Sequence, residues 1–329
     1  MRLVRALLGF AVLAITAWIL VAVFSPADST DAAPAVFTSS AQCQECHAEV
    51  YSEWQQSWHA QSWEDPDVRS LSNDFSNTDC IDCHAPRPIF STGVGKRVLP
   101  RSSRRSEGVD CIACHILPEG GVAGTIERPS APCGPRARVE LQRADYCGVC
   151  HDQHKTVQQW KTSEYFEQGI GCIDCHMPFR NGDANRGRDH RCLGGHDLEL
   201  VRSAVELRGV REGEAWVVEI ENVGAGHSFP TDERSRAVDL FWRPLVEAGA
   251  TPSPWQHFYR LRSPYRHEVD IVDNLLLVHE TRRLPLAAEG SGGAVEIALF
   301  YKLTPYYADP QNPDPEREAQ LVHRVELRP

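Results

Sequence analysis

Five copies of one pentapeptide, C-x-x-C-H, lie between residues 43 and 176 of this 329-residue chain and limit what it can fold into. They run from Cys43 to His47, Cys80 to His84, Cys111 to His115, Cys147 to His151 and Cys172 to His176. The spacing is that of covalent haem c attachment. Cys43, Cys46, Cys80, Cys83, Cys111, Cys114, Cys147, Cys150, Cys172 and Cys175 supply thiols that add to vinyl groups, and His47, His84, His115, His151 and His176 ligate iron from the proximal side. Zinc knuckles, disulfides or a thioredoxin-like dithiol need only the CxxC and leave the histidine unexplained. Histidine fills 14 of 329 positions, so five chance placements have a probability on the order of one in ten million. Five covalently bound haem c groups are therefore the expected cofactors.

The motif-bearing stretch, residues 41–197, has few long apolar runs, and successive first cysteines are only 25 to 37 residues apart. Such a segment cannot build an ordinary core. The haems are expected to be its core, with short helices and loops around them, and the fold should collapse without cofactor as small metal-dependent domains do. Between the second and third motifs, Lys96, Arg97, Arg101, Arg104 and Arg105 crowd into ten residues. They read as a solvated loop or as neutralisers of haem propionates. Cys133 and Cys192 stand outside the motifs and could form a disulfide in an oxidising compartment or remain as separate thiols.

A second axial ligand is needed at each iron for six-coordination. Apart from the initiator the only methionine is Met177, beside His176, so the distal ligands are expected to be histidines, which give lower potentials than methionine. Five candidates are His59, His154, His190, His196 and His227. His59 follows Tyr51, Trp54 and Trp58 on an expected helix that starts at the first motif, which would put it about 18 Å from His47 and on a different iron. His154 lies one turn after His151 and could not bind the opposite face of the same haem. His190 and His196 flank Gly194 and Gly195, which would let backbone approach a flat ligand, with Asp197 capping the helix that follows. His227 sits in Gly224-Ala225-Gly226-His227-Ser228-Phe229-Pro230-Thr231, a tight loop that could present it to a haem of the first domain.

Arg2 and Arg5 precede an apolar run over residues 6–24, which reads as an export signal or, at that length, a retained membrane anchor with everything after residue 30 outside. Covalent haem attachment points the same way, to the periplasmic side of the cytoplasmic membrane. The formal charge of −11 excludes a nucleic-acid partner and favours redox proteins with a basic docking face.

Beyond residue 198 the cysteines stop and two-residue alternation begins. Val205 and Leu207, then Trp216, Val218 and Ile220, then Val238, Leu240 and Trp242 form such rows. Others are Val295, Ile297, Leu299, Tyr301 and Leu303, and Leu321, His323, Val325 and Leu327. The expectation is an all-β, sandwich-like domain over residues 198–329, after an export segment and linker over 1–40 and a pentahaem domain over 41–197. His323 reads as a satisfied core histidine.

Several of these stretches together resemble the multihaem cytochromes c of the cytochrome c-554-like group, which are related to the haem-rich part of hydroxylamine oxidoreductase. They are the Tyr51, Trp54, Ser57, His59, Ala60 pattern, the run from Cys172 to Pro178, the Gly194-Gly195-His196 segment, and Gly226-His227 followed by Pro230-Thr231. The resemblance implies an exported electron carrier with stacked haem pairs and mostly bis-histidine irons, in a group whose members can leave one iron five-coordinate. The competing expectations are a reductase or oxidase of a small nitrogen or sulfur oxo-compound at such an open iron, and a subunit that mounts haems on a membrane oxidoreductase complex.

Overall fold

A computed structural model of the chain describes residues 36–152, 155–231, 235–247, 249–265, 268–286 and 293–329. The apolar run 6–24, His154 and His267 lie outside the described residues.

In the motif-bearing half the elements are short, as the spacing predicts. Four motifs lie on helices of one or two turns, Asp79–His84, Cys111–His115, Ala144–His151 and Cys172–His176. The first motif begins at the end of the 3-10 turn Ser40–Cys43 and ends on His47, the N-cap of helix Ala48–Gln55. Helices this short are marginal alone, so local caps hold them. Asp110 accepts the Ala113 N–H at 2.7 Å ahead of the third motif, and Asp174 accepts the Gly171 N–H at 2.8 Å at the fifth.

The single helix expected from the first motif through His59 is broken. Ser57 Oγ donates to the Trp54 carbonyl at 2.6 Å and accepts from the Ala60 N–H at 3.2 Å, which closes one helix and opens the next, Trp58–Gln61. The straight-helix distance to His47 therefore does not apply. Part of the basic run 96–105 is tied up in ion pairs. Arg97 pairs with Asp79 and Asp82, which flank Cys80, while Arg101 and Arg104 both pair with buried Asp110. These arginines thereby fasten the second and third motif helices to the loop between them.

Apolar packing in this half is confined to small clusters. One joins Phe75, Ile81 and Ala85 to Trp63; the other joins Ile89, Val98 and Tyr146 to Cys83 and Cys150. A two-strand parallel pair, β1 (Val122–Gly124) and β2 (Pro135–Ala137), completes it.

The remaining half is a sandwich of two antiparallel sheets. Its strands are β3 (Val205–Glu212), β4 (Ala215–Asn222), β5 (Ala237–Pro244), β6 (Gln256–Leu261), β7 (Thr281–Pro285), β8 (Val295–Lys302) and β9 (Gln320–Leu327), ordered β3-β4-β7 and β6-β5-β8-β9. Alternation places Val205, Leu207, Trp216, Val218 and Ile220 of one sheet against Val238, Leu240, Trp242, Ile297 and Leu299 of the other, in one core.

Two departures from the sequence pattern have a local cause. Leu303 lies past the end of β8, and a bulge opposite Leu299 and Phe300 inserts Val322 into β9. A bulge turns the side chains beyond it to the opposite faces. Val322 therefore joins the inner core while Leu321 packs outside with Phe241, Phe300 and Tyr307. That outer cluster explains why every residue of β8 is buried. His323 is satisfied as expected, with Nε2 on the Val205 carbonyl at 2.6 Å and the Arg202 carbonyl at 3.1 Å.

Candidate haem-iron centres

Each motif presents two thiols and an imidazole on one turn, and the ten motif cysteines form no disulfides and are half-buried or exposed. Three motif histidines share a second feature. Their Nδ1 atoms meet main-chain carbonyls: His84 with Ser62 at 2.8 Å, His115 with Ala123 at 2.8 Å, and His176 with Leu193 at 2.6 Å. An N–H donated from Nδ1 fixes the tautomer and leaves Nε2 as the basic nitrogen, the usual support of a metal-bound imidazole.

Three imidazoles from elsewhere face motif histidines. The ring centroids of His59 and His151 are 6.0 Å apart, those of His115 and His190 6.2 Å, and those of His176 and His227 6.2 Å. Hydrogen-bonded or stacked rings would sit closer. Two metal–imidazole bonds of about 2 Å each, laid end to end through the rings, put the centroids about 6 Å apart. His190 and His227 also have Nδ1 on carbonyls, of Arg188 at 2.9 Å and of Ser228 at 3.0 Å. Burial pushes His59 and His190 down to about 4, with neighbouring His151 and His115 adding to the effect, and burial lowers His115 as well. These rings are neutral at pH 7, the form that ligates metal. The donor set and the spacing fit haem c.

His190 is secured from the first motif's helix. Glu53 accepts its backbone N–H at 2.9 Å and pairs with Arg180 at 2.6 Å. The motifs themselves are drawn together. Cys43 lies beside Cys111 and Cys147 beside Cys172, and the Tyr146 hydroxyl donates to the Cys114 carbonyl.

Residues 42–116 match the protein family described as cytochrome c554 and c-prime. The fold superposes on the crystal structure of a penta-heme cytochrome c552 from Thermochromatium tepidum with a TM-score of 0.60, over 88% of this chain and 98% of that one, at 19% identity. This chain is a multihaem c-type cytochrome. A superoxide reductase structure also overlaps 38% of the cytochrome and 87% of its own chain, at 11% identity and a TM-score of 0.20, too low to bear on the fold. No curated protein matches it.

The remaining expected ligands of the cytochrome are placed differently. Among the described residues His196 is in no imidazole pair. Its ring stacks on Trp58 at 3.7 Å, its Nε2 takes a hydrogen bond from Arg236 at 3.2 Å, and burial together with Arg236 holds it down to about 4. A Cβ on Gly195 would come within 2.5 Å of the Tyr301 hydroxyl, so the close approach there is to the sandwich, and Gly194 has open space. Asp197 caps helix Leu198–Ala204 through the Leu200 N–H at 2.8 Å, as the sequence suggests. Among the described residues, His47 and His84 are in no imidazole pair, and His84 lies instead against Phe75 at 5.7 Å. His154 is outside the described residues. No disulfide joins Cys133 to Cys192.

What sequence reasoning missed in the cytochrome is the supporting shell: the carbonyls of Ser62, Ala123, Arg188, Leu193 and Ser228, and the side chains of Glu53, Arg180 and Gln159. Backbone carbonyls have no sequence signature. Glu53, by contrast, lies one turn after Glu49 on the first motif's helix, and both reach toward Arg180.

Proposed function

We propose that this cytochrome is an exported pentahaem electron carrier, passing electrons between periplasm-facing redox partners through low-potential, mostly bis-histidine haems. The observation that carries the reading is the set of three imidazole pairs at 6.0 to 6.2 Å. Haem c supplies a one-electron iron couple, and histidine on both sides lowers its potential.

The chain's own part is to hold, orient and space these groups. His59 with His151, His115 with His190, and His176 with His227 would hold three of the haem irons, each between two imidazoles. Cys43 beside Cys111 keeps the first and third attachment points adjacent, and Cys147 beside Cys172 the fourth and fifth. His47 and His84 are the proximal ligands of the other two haems, and His154 is the remaining distal candidate.

With a formal charge of −11, the carrier suits partners with a basic docking face. The run 6–24 would tether it at the periplasmic side of the membrane or be cleaved after export, and a membrane oxidoreductase complex is one partner such a tether would suit.

The second reading, a reductase or oxidase of a small nitrogen or sulfur oxo-compound, draws on His84, whose ring meets Phe75 and, among the described residues, no second imidazole. Stopped-flow mixing of the dithionite-reduced holoprotein separates the two. Rapid, salt-suppressed oxidation by a basic soluble cytochrome c supports the carrier. Oxidation by nitrite, hydroxylamine or sulfite with no electron passed to the basic protein overturns it.

A further inference from the structure

His227 belongs to the β-sandwich, yet its ring faces His176 of the last motif at 6.2 Å and an interplanar angle of 13°. A ligand supplied across a seam between two halves needs something from the other half to hold it. The seam is built around one side chain. Gln159 Oε1 accepts the Ser228 N–H at 3.1 Å and the Thr231 hydroxyl at 3.2 Å. Thr156, three residues earlier and so on the same face of helix Thr156–Lys161, meets the Thr231 hydroxyl at 3.1 Å.

Ser228, buried at 2% exposure, is the link. Its N–H goes to Gln159, while its carbonyl, in register with the Nδ1 of His227 at 3.0 Å, fixes that ring's tautomer and direction. From the sandwich side Asn222 donates to the His227 carbonyl at 2.9 Å. Gly226 completes the fit: a Cβ there would stand 3.3 Å from the Tyr165 ring, so the loop lies directly on the motif-bearing half.

We propose that Gln159 is the positioning residue for the sixth ligand of the haem attached at Cys172 and Cys175: by anchoring Ser228 across the seam it holds His227 on the iron. The proposal rests on the reading of His227 as that haem's distal ligand. The bonds from Ser228 and Thr231 both go to the acceptor oxygen of Gln159.

The test uses haem-loaded full-length protein in four forms: wild type, His227→Ala, Gln159→Leu and Gln159→Glu. Glutamate keeps the acceptor oxygen, whereas leucine keeps roughly the bulk and removes it. Carbon monoxide binding to the reduced protein and the high-spin ferric signal are read together with haem content and the thermal midpoint, so that a misfolded variant is recognised by lost haem.

His227→Ala is expected to open one haem per molecule to carbon monoxide. Gln159→Leu should raise carbon monoxide affinity at that same haem by about 10–100-fold, the usual effect of losing an outer-shell partner, and Gln159→Glu should retain the wild-type spectrum. A Gln159→Leu protein indistinguishable from wild type, while His227→Ala opens a haem, overturns the proposal alone. So does a Gln159→Glu protein as open as the leucine form. An unchanged His227→Ala protein overturns the ligand reading beneath it.

Discussion

At the scale of single residues, five of the candidate axial histidines are set apart by what their second nitrogen does. His84, His115, His176, His190 and His227 all have Nδ1 on a main-chain carbonyl, while the Nε2 of His196 is occupied by Arg236. In sequence His190 and His196 look alike, six residues apart around a glycine pair. Their difference rests on Trp58 and Arg236, both distant in the chain, and no local pattern reveals it. The motif cysteines and histidines were legible because attachment chemistry is local. The pairings were not, because His59 meets a ring 92 residues away (151 − 59).

Asp110 shows what such residues contribute. It caps the third motif's helix and neutralises Arg101, whose side chain is 5% exposed. Asp110→Ala leaves a guanidinium buried without its carboxylate, so the holoprotein should lose about 3–5 kcal/mol of stability in denaturant unfolding. A loss below about 1 kcal/mol, the level of a surface pair, would contradict this role.

Among the elements, the β-strands were the most legible, since period-2 alternation reports burial directly. The bulge that inserts Val322 escaped because it is set by pairing with β8, and β6 and β7 escaped because they are short and largely exposed on one side. The outer face of the β6-β5-β8-β9 sheet also carries a buried polar group that alternation marks only as an anomaly. Asp239, with no exposed surface, accepts from Arg260 at 2.6 and 2.8 Å, from His257 at 3.1 Å and from the Tyr307 hydroxyl at 2.9 Å.

Burial opposes ionisation of Asp239, but the bonds from His257 and Arg260 outweigh it and hold the carboxyl below its ordinary range. A depressed folded value means that the contribution is complete above the unfolded pKa of about 3.9 and disappears as pH falls through the folded one. Asp239→Asn should therefore lower the unfolding midpoint of the sandwich at pH 7 and reduce its further fall between pH 4 and pH 2. An identical acid limb in both proteins would exclude Asp239 from the acid sensitivity.

Over the whole molecule, the two halves are stabilised by different means. The sandwich has a continuous core of its own, whereas the motif-bearing half has only small clusters beside its attachment sites. Protein made without haem attachment should accordingly keep slow hydrogen exchange in β5 and β8 and show none in helices Cys111–His115 and Cys172–His176. Protection retained in those helices would mean that the polypeptide folds there unaided. The halves meet at the seam where His227 reaches His176 and where His279 pairs with Glu164 at 2.9 Å.

The central claim is that three irons are held between the histidine pairs 59 and 151, 115 and 190, and 176 and 227. The most direct measurement is low-temperature electron paramagnetic resonance of the oxidised holoprotein, with haem quantified in the same sample. At least three low-spin ferric haems per chain are expected. Fewer than three, with the balance high-spin, would contradict it.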